Sequence, residues 1–247
     1  MTVPHIPPSK ILDSASLRQR FPRHWLSMRT GLSLISATGC CIVQELAEAL
    51  ADQFGWPDTS FTARYIFRKR LPESDLAHYE TLPYFRSGLG VVRLSENGKM
   101  FCRQQNWPLV QSEWERLIEL HEGETALQHT ALVLAFAREA RFRGYKTTVI
   151  PVVEGLSGRM LPDILVDDGR ERVYVEVERS RVMKTEKWEN LDRLQGFTAF
   201  CVQSYSRRQR LSKRLGELGF TGVAADLETL SQRRAGGDPG PLWLEDW

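Results

Sequence analysis

Between Leu161 and Ser180 the chain reads LPDILVDDGRERVYVEVERS, and this stretch constrains the fold more tightly than any other. Apolar residues flank Asp168-Gly169 on both sides, which predicts two antiparallel strands joined by a tight turn whose positive φ the glycine supplies. With Asp168 and Gly169 as the central turn residues, Asp163 stands across from Tyr174 and diagonal to Glu176. Strand side chains alternate between faces, so Glu178 joins the face of Glu176 while Val175 and Val177 point into the core. Three carboxylates on one surface repel one another unless a cation sits among them, either a Lys or Arg side chain or a metal ion. Hard oxygen ligands in this arrangement suit Mg²⁺ or Mn²⁺, which bind phosphate oxygens beside one or two carboxylates. Such an ion can activate a water against a phosphodiester.

The segments around this hairpin alternate in type. ETALQHTALVLAFAREARFRGY predicts a long helix with Leu127, Leu134 and Phe142 on its buried side and Gly144 at its end, and KTTVIPVVE a short strand. After the hairpin, KTEKWENLDRLQGF predicts a helix, TAFCVQSY a strand, RRQRLSKRLGELGF a basic amphipathic helix, and TGVAADLETL a strand running into a last helix. The order α-β-β-β-α-β-α-β predicts an α/β fold, a central mixed sheet flanked by helices, over residues 123–230. The remainder, 231–247, is rich in Gly and Pro and is expected to be a flexible tail, although Trp243, Leu244 and Trp247 could dock on the body or on a partner.

Pro162-Asp163, a turn of fitting length, Glu176-Val177-Glu178 and a preceding helix ending in Arg-Gly-Tyr together resemble the PD-(D/E)xK nuclease superfamily, the restriction-endonuclease-like fold. The resemblance covers residues 124 to 225 in motif and element order. It implies that Asp163 and Glu176 hold Mg²⁺ (or Mn²⁺) and that DNA is the substrate. The family's third motif residue is a lysine that positions the attacking water, and Glu178 stands in its place as a further ligand or base. Some members supply the lysine from the following helix, where Lys184 and Lys187 stand. Many carry a glutamate on the first helix. Here that neighbourhood holds Gln128, His129 and, one turn earlier, Glu124, so that His129 is expected as a ligand or base and Gln128 as a water positioner.

The first half of the chain has a different rhythm. Residues 1–29 are Pro- and Arg-rich and predict a basic arm. SLISATGCCIVQELAEALADQFG predicts a helix through Ile35, Ile42, Leu46 and Leu50, stopped at Gly55. In PDTSFTARYIFRKRL, Asp58, Thr59 or Ser60 caps a second helix bearing Arg64, Arg68, Lys69 and Arg70. VVRLSENGKMFC predicts two strands around Asn97-Gly98. This order over residues 30–105 resembles a winged helix-turn-helix, with RLSENGKMF similar to the wing of bacterial regulators, and implies that one helix enters the DNA major groove with the cations on phosphates. Residues 106–122 predict a linker helix with Trp114, Leu117 and Ile118 inward. A second resemblance, to replication-relaxation proteins of plasmids and mobile elements, rests on the E-x-acid pair with a helical His and on the same order of domains.

At 247 residues and 42% hydrophobic content the chain can bury two cores, and a net charge of only +2 leaves polyanion binding to local clusters of cations. The helical run at Arg207, Arg208, Arg210, Lys213 and Arg214 is one such cluster, expected to track phosphates. Cys40, Cys41, Cys102 and Cys201 form no CxxC pair and are expected to be reduced. Neither a secretory signal nor a long apolar run is present, so the expected location is the cytoplasm, away from membranes. No phosphate-binding glycine loop, zinc spacing, nucleophile elbow or dinucleotide fingerprint occurs, which argues against a nucleotide cofactor. The expectation is a DNA-binding, Mg-dependent deoxyribonuclease in a mobile-element, defence or DNA-processing context. The alternative is a nuclease-fold regulator or mobilisation factor that does not cut. Either form could act with a protein partner or as a homodimer.

Overall fold

The computed structural model describes residues 14–57, 61–85, 88–120, 127–156, 161–179 and 185–247. It is an α/β fold, an N-terminal helical region with a β-hairpin followed by a mixed six-stranded sheet interleaved with helices. The chain divides into two compact units, one drawn from residues up to Thr81 and from Gly90–Ser112, the other from Leu82–Leu89 and Glu113–Trp247. Among the described residues no helix is long and apolar enough to cross a membrane.

In the first unit the arm expected over 1–29 is folded from Ser14 on, as α1 (Ser14–Arg20) and the start of α2 (Trp25–Thr38), because Leu17 and Met28 are wholly buried. The single helix expected next is two. Gly39 adopts a left-handed φ of 66° and closes α2 by donating its N–H to Ile35, so that Cys41 and Ile42 pair with the strand at Val91 and Val92 before α3 (Val43–Phe54) begins. Then α4 (Phe61–Tyr65) continues through a π-helical turn, Ile66–Arg70, into α5 (Leu71–Glu73). The proposed caps at 58–60 lie outside the described residues.

The hairpin lies earlier than the Asn97-Gly98 signal placed it. It is built from β1 (Ala77–Leu82) and β2 (Leu89–Leu94), and the Asn-Gly pair opens α6 (Glu96–Gln104) instead. Ser95 is the cause: its hydroxyl accepts the Gly98 N–H at 3.0 Å, a helix N-cap. Gly98 is required here because a Cβ would run into the Leu76 carbonyl. Leu32, Ile35, Leu46, Leu50, Ile66, Phe67, Leu76, Val92 and Phe101 form the core, each side chain contributing about 1.5–3 kcal/mol of burial.

In the second unit the expected linker helix is confined to α7 (Glu113–Leu120), with Trp114 and Leu117 buried. The central helix α8 (Leu127–Phe142) is buried nearly all round from Thr130 to Ala137, whereas Phe142, expected inside, is 50% exposed beneath Arg234. Strands β3 (Lys146–Val149), β4 (Ile164–Asp167) and β5 (Arg172–Glu178) form an antiparallel meander. Beyond it β6 (Thr198–Val202) and β7 (Gly222–Asp226) run parallel to β5, which requires the crossover helices α9 (Thr185–Gln195) and α10 (Tyr205–Glu217). Trp188, Leu191, Phe200, Leu215 and Ala224 pack these helices on one face of the sheet.

The tail is part of the body. After α11 (Leu227–Ala235), Leu242 is wholly buried, β8 (Glu245–Asp246) pairs antiparallel with β7, and Trp247 exchanges both backbone hydrogen bonds with Gly222. Of the alternatives for this segment, docking on the body holds. None of the four cysteines is in a disulfide bond.

Candidate active site

The turn of the β4–β5 hairpin is wider than Asp168-Gly169 alone. The Asp168 carboxylate accepts the N–H groups of Arg170 and Glu171, each at 2.8 Å, and Asp167 accepts that of Gly169 at 2.7 Å. Leu165 therefore faces Tyr174, and Ile164 faces Val175. The expected register, with Asp163 across from Tyr174, is displaced by two residues. An even displacement keeps every side chain on its face. The next position along the ladder sets Asp163 against Glu176, so the acids end closer than a diagonal pair.

Both are withdrawn from water, Asp163 at 1% and Glu176 at 4% exposure. Asp163 sits one residue before β4, and its Oδ2 accepts the Val177 N–H at 2.8 Å, taking the place of a ladder carbonyl. Its Oδ1 lies 3.0 Å from Nε2 of His129, in the first turn of α8. From the first turn of α9, Lys187 places Nζ 2.8 Å and 2.9 Å from the two carboxylate oxygens of Glu176. One edge of the sheet thus gathers the starts of two helices, the start of β4 and the end of β5. It is the edge where the parallel strands end, the usual location of a binding crevice in open α/β sheets.

The electrostatics follow from burial and proximity. Burial alone would raise the Asp163 pKa, but the neighbouring charges of His129 and Lys187 overcome it and hold the carboxyl well below its ordinary range. Glu176 moves the other way: burial and the charge of Asp163 push it well up, and Lys187 offsets only part of that. For His129 and Lys187, burial disfavours the cation, and the acids more than compensate. Asp163 raises His129, while Glu176 and Asp163 raise Lys187. Glu178, half-buried on the same face of β5 as Glu176, adds to both of these upward shifts.

Of the residues singled out from sequence, Asp163, Glu176, Lys187 and His129 are brought together, with Glu178 beside them. Gln128 is not part of the cluster: it is exposed, and its Oε1 lies 3.5 Å from Arg179 Nη1. Lys184 and Glu124 lie outside the described residues. On α10, Arg210, Lys213 and Arg214 are exposed, and Arg207 donates to the carbonyl of Arg179 at 3.2 Å. Arg208 was misplaced among them. It is 5% exposed, 3.0 Å from Asp226 and 3.2 Å from Glu245, and binds the last strand to the sheet. Five cations spread over eight positions of a helix packed on a sheet cannot all face water, and Arg208 shares its buried face with Ser212 and Leu215. On the first unit Arg68 and Lys69 are exposed, Arg64 is half-buried, and Arg70 pairs with Glu73 at 2.8 Å. Sequence reasoning missed Arg179, which follows the Glu-Val-Glu triplet directly and stands between Gln128 and Arg207.

The donor set can be weighed against a divalent ion. Among the described residues no three His, Cys, Asp or Glu side chains enclose a common point. Two adjacent buried carboxylates are nevertheless what Mg²⁺ asks of a protein when waters and phosphate oxygens complete its shell. Glu176 is pushed up first by burial and then by the charge of Asp163, and an ion between the two carboxylates would relieve the second of these. Asp163 and Glu176 fit the role. Comparison of the chain with protein-family models, with curated protein sequences and with solved structures gives no match.

Proposed function

We propose that this protein is a metal-dependent nuclease of the PD-(D/E)xK type that is carried to DNA by an N-terminal winged helix. The observation that carries the reading is the position of Lys187. The strand slot where the family keeps its lysine holds Glu178, and a lysine from the next helix brings its ammonium to the same acid pair. In the first unit, the order of helices followed by the β1–β2 hairpin, with Ile42 bridged to Val91, supports the winged-helix half.

In this reading Asp163 and Glu176 hold Mg²⁺ or Mn²⁺, which when bound supplies charge neutralisation at the phosphodiester and a more acidic water. His129 fixes the rotamer of Asp163 through Oδ1, and the Val177 N–H fixes it through Oδ2. Lys187 holds the attacking water against the phosphate and stabilises the charge that builds on its oxygens. Arg179 and Arg207 at the rim engage the flanking phosphates.

A second reading rests on the same contact. Lys187 already spans both oxygens of Glu176, so the acids are neutralised from within, as in a fold kept for binding alone. Incubation with single-stranded, duplex and branched DNA in Mn²⁺ or Mg²⁺ separates the two. Divalent-dependent cleavage that Asp163→Asn and Glu176→Gln each abolish supports the nuclease. DNA binding without cleavage on any of these substrates supports the binding module, and neither binding nor cleavage overturns both.

A further inference from the structure

The first unit carries a large apolar side chain that its core does not use. Phe61 opens α4 with 79% of its surface exposed, whereas Ala63, Ile66 and Phe67 of the same helical run are buried and Phe67 closes over Gly31. The Phe61 ring is nonetheless held: it stacks on Tyr65 with centroids 5.8 Å apart and planes 22° from parallel. Lys69 and Arg70 lie over the Tyr65 ring at 5.7 Å and 4.8 Å, and His24 meets it at 6.3 Å. Arg68 lies over Tyr79 of β1 at 5.5 Å. Residues 61, 65 and 69 follow the four-residue spacing that lines side chains along one helix face. The π-helical turn within the run, a local widening that recurs at functional sites, carries Arg68 and Lys69, and both remain exposed.

Rings in a ladder bordered by cations complement a chain of flat bases joined by phosphates. The flanking positive charge disfavours an apolar protein partner and favours a polyanion. A duplex buries its base faces, so only unpaired bases can stack on Phe61. We propose that Phe61 and Tyr65 form a stacking platform for unpaired nucleobases, with Arg68 and Lys69 on the adjoining phosphates, so that this unit takes single-stranded or locally melted DNA in preference to intact duplex. The proposal rests on the DNA-binding half of the function proposed above and names its substrate form.

Fluorescence anisotropy of the full chain, in EDTA to suppress cleavage, tests it with a labelled oligonucleotide presented alone and in duplex. The single strand should bind more tightly. Phe61→Ala should weaken single-strand binding roughly 5- to 150-fold and leave duplex binding unchanged, because each stacked base contributes about 1–3 kcal/mol. Phe61→Trp should keep the affinity and add indole emission that the single strand quenches. With 79% of Phe61 exposed, the Ala variant keeps the wild-type melting temperature. Equal losses on the two DNA forms, or no loss on either, overturn the platform while leaving DNA binding intact. Failure of the wild type to bind either form at low salt overturns the DNA reading itself.

Discussion

Lys187→Met isolates the electrostatics of the candidate site from any reaction. The substitution keeps much of the aliphatic stem and removes the ammonium that touches both oxygens of Glu176. Removing one partner of a buried ion pair costs about 3–5 kcal/mol, since the remaining charge has neither water nor counter-ion. Two features reduce that here. The Lys187 side chain keeps 24% of its surface in water. Glu176, already pushed towards its protonated form by burial and by Asp163, can shed its charge by binding a proton. About 2 kcal/mol remains, which for a unit of this size lowers Tm by roughly 4–8 °C. The vacated space leaves two carboxylates without their lysine, so divalent ions should bind better than in the wild type, where they compete with the ammonium. Mn²⁺ at a hundred times its Kd restores about 2.7 kcal/mol through binding to the folded state. Scanning calorimetry with and without Mn²⁺ should show the variant gaining more than the wild type, and Glu176→Gln in the Lys187→Met background gaining least. A Lys187→Met variant that melts with the wild type, with Mn²⁺ moving neither, would refute a stabilising Lys187–Glu176 pair and a divalent-ion site at the acids.

Other perturbations test the fold around the site. Arg208→Met leaves Asp226, which is wholly buried, without its cation and should cost about 3 kcal/mol in chemical denaturation. The same variant should leave the salt dependence of DNA binding unchanged, whereas Arg210→Ala or Lys213→Ala should each lower its slope by about one. Gly98→Ala drives a Cβ into the Leu76 carbonyl and should destabilise the first unit by about 2–3 kcal/mol, a cost a hairpin turn at that position would not incur. Tyr84, whose hydroxyl lies 3.1 Å from that of Ser231, has its phenol pushed up to about 12, chiefly by burial. The folded pKa exceeds the unfolded one, so this contribution is complete below about pH 10 and disappears as pH climbs towards 12, a loss of about 2 kcal/mol. Tyr84→Phe should remove that alkaline loss in pH-dependent melting curves.

What the sequence made legible follows a physical line. Alternation along Ile164–Asp167 and Arg172–Glu178 was enough to set faces, because burying one face of a strand tolerates no odd slip. The register was not legible, since it turned on the Asp168 carboxylate collecting two backbone N–H groups and widening the turn. At Asn97-Gly98 a strong local turn signal lost to a cap: Ser95 holds the Gly98 N–H, and Asn97 donates to Asp75 at 2.6 Å, a partner distant in sequence. Gly39 broke a helix whose apolar spacing runs on through Ile42, because the intervening residues were needed as a bridge to β2. The tail read as loose from its Gly and Pro content, yet it is held by backbone hydrogen bonds to Gly222 and Ala224, by Arg208 against Glu245, by buried Leu242 and by Trp247 on Phe200, partners distant in sequence that its composition does not announce. For the site, the acids were legible from one strand pair alone. Lys187 required knowing which face of α9 turns inward, and buried Trp188 and Leu191 beside it settle that.

The position of the lysine yields a sharper demand. If the site needs one ammonium near Asp163 and Glu176, and does not depend on the element that carries it, then the charge can be moved. Glu178 lies two residues beyond Glu176 on the same face of β5 and already acts electrostatically on both Lys187 and His129. Glu178→Lys combined with Lys187→Met exchanges an acid for a base at the strand slot and leaves the cluster with the same number of ammonium groups and one carboxylate fewer. Removing a like charge from beside the acids is itself favourable, so the double variant should recover at least half of the stability lost in Lys187→Met. If the wild type cleaves DNA, the double variant should regain cleavage that Lys187→Met lacks. Glu178→Lys alone, with two ammonium groups facing the acids, should bind Mn²⁺ more weakly than the wild type by isothermal titration. A double variant no more stable than Lys187→Met would mean that α9 supplies packing through the lysine stem, and that the ammonium is incidental to the acid pair.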